Sequence, residues 1–203
     1  MEKDWIGNYK GIFTTLGASN HTEKERENND YYATDPIAID GLRKVFDLPQ
    51  NIWECACGEG HLSKRLEELG YNVDSTDLIY RGYGEGNVDF LECQKRKTGY
   101  NCILTNPPYS KAMEFVLHSL ELLDNGGYVI MLLKTTFLEG KKRYQKLFSK
   151  YPPKYVFQFT NRLLCAKNGD FEKMIKGGGG AQSYAWFVWE KGFVGDTIIK
   201  WIV

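Results

Sequence analysis

The run Asn106-Pro107-Pro108-Tyr109, which closely follows the apolar stretch Cys102–Leu104, combines residue types that suit chemistry on a planar amino group. Such a group is a poor nucleophile because its lone pair is delocalised. The Asn106 side-chain oxygen and the next backbone carbonyl can each accept one of its hydrogens, which favours a pyramidal nitrogen. The two prolines fix these acceptors, and the Tyr109 ring offers a flat stacking face. The run therefore predicts a catalytic loop, although an Asn-Pro turn that closes a strand is the plain structural alternative.

A second motif lies upstream, between a predicted strand Ile52–Cys55 and a predicted helix His61–Leu69. Gly58 and Gly60 in this loop allow the backbone to turn sharply and to approach a ligand closely. Asp77 follows Gly58 by 77 − 58 = 19 residues, at the end of the next predicted strand, where a carboxylate can bind ribose hydroxyls. Because the loop lacks the three-glycine dinucleotide fingerprint and a Gly-Lys-Ser/Thr ending, the pattern favours a nucleoside with a small charged tail over a pyrophosphate or triphosphate ligand.

With these motifs the sequence resembles the adenine-N6 DNA methyltransferases, which are amino-methyltransferases that use S-adenosylmethionine, and it is most similar to their compact phage-type members. The similarity runs from about Asn28 to Lys191. Within it, Tyr31–Pro36 resembles the segment that closes over the methionine part of the cofactor, and Asp89-Phe90 resembles the pair that contacts its adenine. The resemblance implies catalytic roles for Asn106, Pro107, Pro108 and Tyr109. It implies S-adenosylmethionine as cofactor, bound by Tyr32, Thr34, Pro36, Glu54, Cys55, Ala56, Gly58, Gly60, Asp77, Leu78, Asp89, Phe90 and Asn106.

The sequence departs from the family's pattern in target recognition. Family members usually carry a long recognition region, and these 203 residues have no room for one. Residues Asn161 to Gln182, between the last two predicted strands, carry basic side chains and the run Gly177–Gly180. A four-glycine run is flexible, and no helix follows it that could form a phosphate site. We expect residues 161–182, here called the recognition loop, to replace the missing region and to order on nucleic acid.

The apolar runs and the residues between them predict an α/β fold in which strands and helices alternate. Predicted strands are Ile52–Cys55, Asn72–Thr76, a short piece near Val88, Asn101–Thr105, Tyr128–Leu133, Tyr155–Phe159 and Tyr184–Trp189. Predicted helices are Pro36–Phe46, His61–Leu69, Lys111–Leu123 and Gly140–Lys150. Together with the resemblance, this order predicts a Rossmann-like S-adenosylmethionine-dependent methyltransferase fold, with a mostly parallel seven-stranded sheet, helices on both faces and an antiparallel last strand. Both motifs then fall at the carboxyl edge of the sheet, where such folds bind ligands.

Length and composition predict one methyltransferase domain over residues 31–203, preceded by a polar arm at 1–30, because 42% apolar content over 203 residues can form one core. No stretch approaches the roughly 20 apolar residues of a membrane span, and the polar start resembles no signal peptide. Five scattered cysteines fit a reducing cytoplasm better than a disulfide framework. Cys55 and Cys57 share a loop without further ligands at metal spacing, so we expect no metal.

Charge is distributed unevenly along the chain although the formal net charge is zero. Residues 134–167 contain nine basic residues and one acidic residue, a net of 9 − 1 = +8, whereas residues 1–77 have a net of 8 − 15 = −7. A solvated helix face is the plain explanation, but the asymmetry favours a basic surface that contacts a phosphate backbone. The candidate contacts to nucleic acid are Tyr109, Lys134, Phe137, Lys141, Lys142, Arg143, Arg162 and Lys167.

Three classes of function are compatible with these features. The favoured one is methylation of adenine N6 in DNA, with the base flipped out of the duplex. The second is methylation of another planar amine, namely adenine in RNA, cytosine N4 or a protein glutamine. The third is a catalytically silent subunit that binds cofactor or nucleic acid. DNA is favoured over RNA as the partner, and a homodimer or a specificity subunit remains an open alternative. The activity is compatible with a role in restriction-modification or in evasion of phage defence.

Overall fold

The computed structural model describes residues 32–94, 99–167 and 182–203. The strands are β1 (Tyr32–Thr34), β2 (Asn51–Glu54), β3 (Asn72–Ser75), β4 (Cys102–Thr105), β5 (Tyr128–Lys134), β6 (Tyr155–Phe159), β7 (Cys165–Lys167), β8 (Tyr184–Glu190) and β9 (Ile198–Ile202). The helices are α1 (Ile37–Arg43), α2 (His61–Glu68), α3 (Ala112–Leu122) and α4 (Lys141–Arg143). Short 3₁₀ segments lie at Phe90–Glu92, Tyr109–Lys111 and Thr135–Leu138.

The main sheet has seven strands in the order β3-β2-β4-β5-β8-β6-β9. β8 runs antiparallel to both of its neighbours, and every other neighbouring pair is parallel. The central strands β4 and β5 are continuous apolar runs because both of their faces are buried. The predicted fold class, a mostly parallel seven-stranded sheet with one antiparallel strand, is confirmed.

Helices cover both faces of this sheet. On one face, Leu42 of α1 and Leu62 and Leu66 of α2 pack in one buried cluster with Ile130 and Leu132 of β5. On the other face, α3 and the segment after α4 pack on the alternate β5 residues Val129, Met131 and Leu133. The alternation of β5 side chains between two cores is what the pleat of a strand requires. None of the helices within 32–94, 99–167 and 182–203 is long and apolar enough to cross a membrane.

Several elements differ from those predicted. The antiparallel strand β8 is not the last one, because β9 follows it and pairs in parallel with β6. The predicted short strand near Val88 is a loop, with one isolated bridge between Thr76 and Glu85 and a 3₁₀ turn after it. The predicted helix Gly140–Lys150 is α4 followed by a π-helical stretch, Tyr144–Phe148.

A separate two-stranded antiparallel sheet, formed by β1 and β7, was not predicted. Its register places Tyr32 opposite Lys167 and Thr34 opposite Cys165. We call this pair the β1–β7 ribbon. It connects the predicted cofactor-closing segment to the start of the predicted recognition loop. The polar arm at 1–30 and positions 168–181 of that loop lie outside the described residues.

Candidate active site

A cavity of about 400 Å³ opens at the carboxyl edge of the sheet, where β2, β3 and β4 end. Its walls come from the loops after these three strands, from the ribbon and from the start of α3. The predicted residues that line it are Thr34, Cys55, Ala56, Asp77, Leu78, Asp89, Phe90, Asn106, Pro107, Pro108 and Tyr109. The structure therefore brings both motifs of the sequence into one cavity.

Asp77 ties the glycine loop to the end of β3. Its Oδ2 atom accepts a hydrogen bond of 2.8 Å from the backbone N–H of Gly58, and its Oδ1 atom accepts one of 2.9 Å from Ile79. A second tie is the backbone hydrogen bond of 3.0 Å from Cys57 N–H to the carbonyl of Thr76. Each carboxylate oxygen has two lone pairs, so Asp77 can hold this loop and still accept a hydroxyl from the cavity.

The catalytic-loop candidate is held by short local bonds and by the ribbon. The backbone N–H of Lys111 donates to the Pro108 carbonyl at 2.9 Å and closes a 3₁₀ turn. Asn106 donates through Nδ2 to Thr34 Oγ1 at 2.8 Å. Asn106 therefore binds the ribbon through the Nδ2 end of its amide and not through the Oδ1 end. That is the orientation in which a side-chain amide presents an acceptor to an amino group.

The ring of Tyr109 is supported from outside the cavity. It stacks on Tyr184 with ring centroids 6.1 Å apart and an interplanar angle of 29°. The Lys134 ammonium lies 4.7 Å from its centroid, within the range of a cation–π contact. Burial, more than any neighbouring group, raises the pKa of Tyr109 well above its ordinary value, so the phenol stays neutral. The structure supplies a fixed neutral ring rather than a base.

Glu54 is buried and does not line the cavity. Its Oε2 atom accepts a hydrogen bond from the Ser63 hydroxyl of α2, and Ser63 also contacts the hydroxyl of Ser75. Burial raises the pKa of Glu54 to about 8, while the Ser63 hydrogen bond opposes this rise in part. Cys55, the first residue after β2, packs in the same core cluster as Trp53, and it is Cys55 rather than Glu54 that lines the cavity.

Other predicted cofactor residues also lie outside the cavity lining. At Gly60, whose φ is +79°, a Cβ atom would lie 2.2 Å from the Tyr83 ring. The position requires glycine because any Cβ atom would collide with the Tyr83 ring, and not because a ligand must fit there. Gly58 contributes its backbone N–H to Asp77. Pro36 lies at the start of α1. Tyr32 takes part in the ribbon through its backbone, and its side chain is outside the described part of the chain.

Several residues that line the cavity were not predicted from the sequence. They are Ala33, Cys57, His61, Leu62, Arg81, Val88, Leu91, Ser110, Lys111 and Phe115. Most directly adjoin a predicted motif, which is the signal that could have identified them. Phe115 carried no such signal: its ring lies 4.8 Å from that of Phe90, tilted by 36°, because α3 packs across that segment. Burial lowers the pKa of His61, which favours its neutral form.

The predicted contacts to nucleic acid are divided between the cavity rim, the surface and the core. Lys134 adjoins Tyr109, and three residues are exposed: Lys141, Lys142 and Arg162. Phe137 is instead a core residue, 7% exposed and packed edge-on against Phe148 and Phe187. The Lys167 side chain is outside the described part of the chain.

Arg143 binds the protein itself. Its Nη1 atom donates to the Phe137 carbonyl at 2.7 Å and to the Glu139 carbonyl. Its guanidinium lies 4.3 Å from the centre of the Phe137 ring. These contacts give Arg143 a structural task that the exposed lysines beside it do not have.

All five cysteines are free thiols. Burial raises the pKa of Cys57 to about 12, so this thiol in the cavity wall stays protonated and unsuited to nucleophilic attack. Among the described side chains, no group of three His, Cys, Asp or Glu residues could hold a metal ion.

Comparison with known proteins gives one curated relative and many structural neighbours. No family model matches the chain. The curated relative is the type II restriction enzyme and methyltransferase RM.BcgI of Heyndrickxia coagulans, 28% identical over 101 residues. That match covers 42% of this chain and only 16% of the relative's length.

Two solved structures illustrate the structural likeness. A candidate class I S-adenosylmethionine-dependent methyltransferase of Listeria monocytogenes has a TM-score of 0.55 at 13% identity, covering 95% of this chain and 72% of its own. A modification subunit of a candidate type I restriction enzyme of Vibrio vulnificus has a TM-score of 0.54 at 12% identity, covering 96% of this chain and 50% of its own. At such low identity the likeness concerns the fold alone. The chain has the Rossmann-like fold of S-adenosylmethionine-dependent methyltransferases.

Proposed function

We propose that this chain transfers a methyl group from S-adenosylmethionine to the N6 amino group of adenine in DNA. The observation that carries the proposal is that one cavity holds both the Asn106–Tyr109 loop and the carboxylates Asp77 and Asp89. The loop suits a planar amine, and the carboxylates suit a nucleoside. A methyl donor and an amine acceptor must meet within bonding distance, so the two sets of groups have to share a cavity.

The cavity fits the proposed cofactor in size and chemistry. About 400 Å³ lies within the usual range for small-molecule sites. Asp77 has lone pairs available for ribose hydroxyls, and both Asp89 and Phe90 line the cavity. Leu78 and Val88 add apolar wall for a nucleoside base. When bound there, S-adenosylmethionine supplies an electrophilic methyl group on a sulfonium.

The chain's own residues would prepare the amine. Asn106 Oδ1 and the Pro107 carbonyl accept its two hydrogens and draw the nitrogen lone pair out of conjugation. The supported ring of Tyr109 sets the plane of the base. The new N–C bond forms as the S–C bond breaks, and the nitrogen gives up one proton to solvent.

DNA is the proposed substrate for two reasons. The 134–167 segment has a net charge of 9 − 1 = +8, with Lys141 and Lys142 exposed on it. The name of the curated relative, a restriction enzyme and methyltransferase, supports a DNA substrate and a restriction-modification setting. Since the recognition loop is short, we propose relaxed or brief sequence preference, or a second subunit that supplies specificity.

Methyl transfer from labelled S-adenosylmethionine to matched substrates tests the proposal. The wild-type chain would be offered duplex DNA, the same sequence as RNA, DNA whose adenines are replaced by N6-methyladenine, and a glutamine-containing peptide. We expect label on unmodified DNA and little on DNA whose adenines are blocked. Label on RNA, on the blocked DNA or on the peptide would instead identify another planar amine, and no transfer to any of them would leave a silent subunit.

A further inference from the structure

Thr34 is placed to control which end of the Asn106 amide faces the cavity. Its hydroxyl oxygen accepts a hydrogen bond of 2.8 Å from Asn106 Nδ2, although 72 residues separate the two in sequence. Thr34 is only 3% exposed, so water does not compete freely for this bond. A hydrogen bond formed in such a site holds its partner more firmly than one at the surface.

The Thr34 hydroxyl can also donate a hydrogen bond. The direction of its own hydrogen therefore decides whether its oxygen can accept one from Asn106. Cys165 lies directly opposite Thr34 in the ribbon register, where paired side chains share one face. Burial raises the pKa of Cys165 to about 12, so this neighbour is a neutral thiol rather than a charged group. The Thr34 oxygen accepts from the Nδ2 end of the Asn106 amide, and its own hydrogen is directed elsewhere.

The ribbon fixes the position of the Thr34 hydroxyl. Thr34 pairs with Cys165, and the next residue, Asp35, donates its backbone N–H to Leu164 at 3.1 Å. Backbone bonds therefore hold both sides of the threonine. If the Asn106 amide turned over, its NH₂ group would face the amino group of the substrate, and two donors would oppose each other.

We propose that Thr34 is a positioning residue, which holds the Asn106 amide with its oxygen toward the acceptor amine. The role rests on the proposed methyl transfer, and it goes beyond the cofactor contact expected from the sequence. Thr34 touches no reacting atom in this role. It acts through Asn106, with Cys165 behind it.

The test compares Thr34→Val, which removes the hydroxyl at nearly constant shape, with Thr34→Ser, which keeps it. We expect Thr34→Val to lower kcat by about tenfold or more with little change in KM for S-adenosylmethionine, and Thr34→Ser to restore most of kcat. Thr197→Val is the matched control. Thr197 donates a hydroxyl hydrogen bond of 2.7 Å to the Pro153 carbonyl at the opposite edge of the sheet, so its loss should leave kcat unchanged.

Two further measurements separate positioning from general damage. In the Asn106→Ala background, Thr34→Val should lower kcat no further, since its effect passes through the missing amide. In an amide NMR spectrum, the side-chain NH₂ pair of Asn106 is assigned by its absence from Asn106→Ala. We expect this pair to shift and to exchange faster with water in Thr34→Val, and to stay near its wild-type position in Thr34→Ser.

An unchanged kcat in Thr34→Val, additive losses in the double variant, or an unchanged amide pair would each overturn the inference. Absence of turnover by the wild-type chain on every substrate would count against the proposed function instead. The amide signal would then still decide whether Thr34 holds Asn106.

Discussion

Asn106 and Asp77 line the same cavity, and the proposed function gives them separate tasks. Asn106 lies on the proposed amine side, and Asp77 lies after β3, where it holds the glycine loop. Asn106→Ala removes an acceptor whose value is greatest in the transition state. We expect kcat to fall by roughly 10²-fold or more, with the Kd for S-adenosylmethionine changed little. Single-turnover kinetics and calorimetric titration with the cofactor would measure the two quantities.

Asn101→Ala is the matched control for that substitution. Asn101 lies just before the other end of the same strand, β4, and is exposed. Asn101→Ala should keep the wild-type kcat and the wild-type Kd for S-adenosylmethionine. A large loss of cofactor affinity with unchanged kcat in Asn106→Ala would assign this side chain to the cofactor and contradict its proposed role on the amine.

Glu54 makes folding stability depend on pH. Its pKa is about 8 in the folded chain against an ordinary 4.5, chiefly because the carboxyl is buried, with Asp77 and Glu67 adding to the rise. Between pH values near 4.5 and about 8, the Glu54 carboxyl therefore keeps its proton in the folded state and has lost it in the unfolded state. The stabilisation is fully present below the lower pKa and disappears as pH rises through the higher one. Each unit of difference between the two corresponds to about 1.4 kcal/mol.

Glu54→Gln should remove this dependence. The amide keeps an acceptor for Ser63 and cannot ionise. Urea unfolding at pH 6 and pH 9 should show that the wild type loses more stability between the two pH values than the variant does. Equal losses in both proteins would mean that Glu54 is ionised in the folded chain at neutral pH.

At the scale of elements, helix α2 has a left-handed glycine at each end, and only one of them faces a side chain. Gly60 has φ +79° and its absent Cβ would lie 2.2 Å from Tyr83, whereas Gly70 has φ +88° and open space around it. Gly70→Ala should cost only backbone strain, roughly 1–2 kcal/mol. Gly60→Ala should cost clearly more, because the clash with the ring is added to the strain.

Adding Tyr83→Ala to Gly60→Ala separates the two contributions. The effect of Tyr83→Ala alone is subtracted from that of the double variant. The remaining loss in the free energy of unfolding should approach the loss caused by Gly70→Ala. Chemical denaturation of the five proteins would measure it. Equal costs for the two single glycine variants would show that the loop carrying Tyr83 moves aside freely.

The elements that the sequence predicted are those whose signals are local. The apolar runs of β4 and β5, and the Leu62 and Leu66 spacing of α2, are visible in any short window. β1 and β7 were missed because each is three residues long and exists only through the other. Glu54 was placed in the cavity because a motif gives the order of residues, not which of two neighbours points inward. Phe115 reaches the site only through the packing of α3.

At the scale of the whole molecule, part of the basic segment 134–167 is exposed at the surface. Lys141 and Lys142 are exposed, whereas the adjacent Arg143 is bound to backbone carbonyls. Lys141→Ala with Lys142→Ala should weaken DNA binding at low salt. It should also reduce the slope of log K against log salt by about 0.9 for each phosphate contact that is lost. Titrations of labelled duplex at several salt concentrations would measure this.

Two substitutions serve as comparisons for the lysine pair. Arg143→Ala should mainly lower the free energy of unfolding, because it removes carbonyl hydrogen bonds and the contact with the Phe137 ring. Lys44→Ala removes an exposed lysine from the acidic part of the sequence and should leave the salt slope unchanged. If Lys44→Ala changed the slope as much as the lysine pair does, binding would be general attraction rather than contact with one surface.

The β1–β7 ribbon also has a consequence for the order in which the chain assembles. Thr34 and Cys165 are 165 − 34 = 131 residues apart, and five of the seven main strands lie between them. Closing so long a loop costs conformational entropy, and the few contacts of the ribbon offset little of it. The ribbon should therefore form after the main sheet during folding and open before it during unfolding. Amides of the ribbon should then exchange their hydrogens in an opening that leaves β4 and β5 protected. Methyl transfer would accordingly fail at a lower urea concentration than the one that unfolds the core.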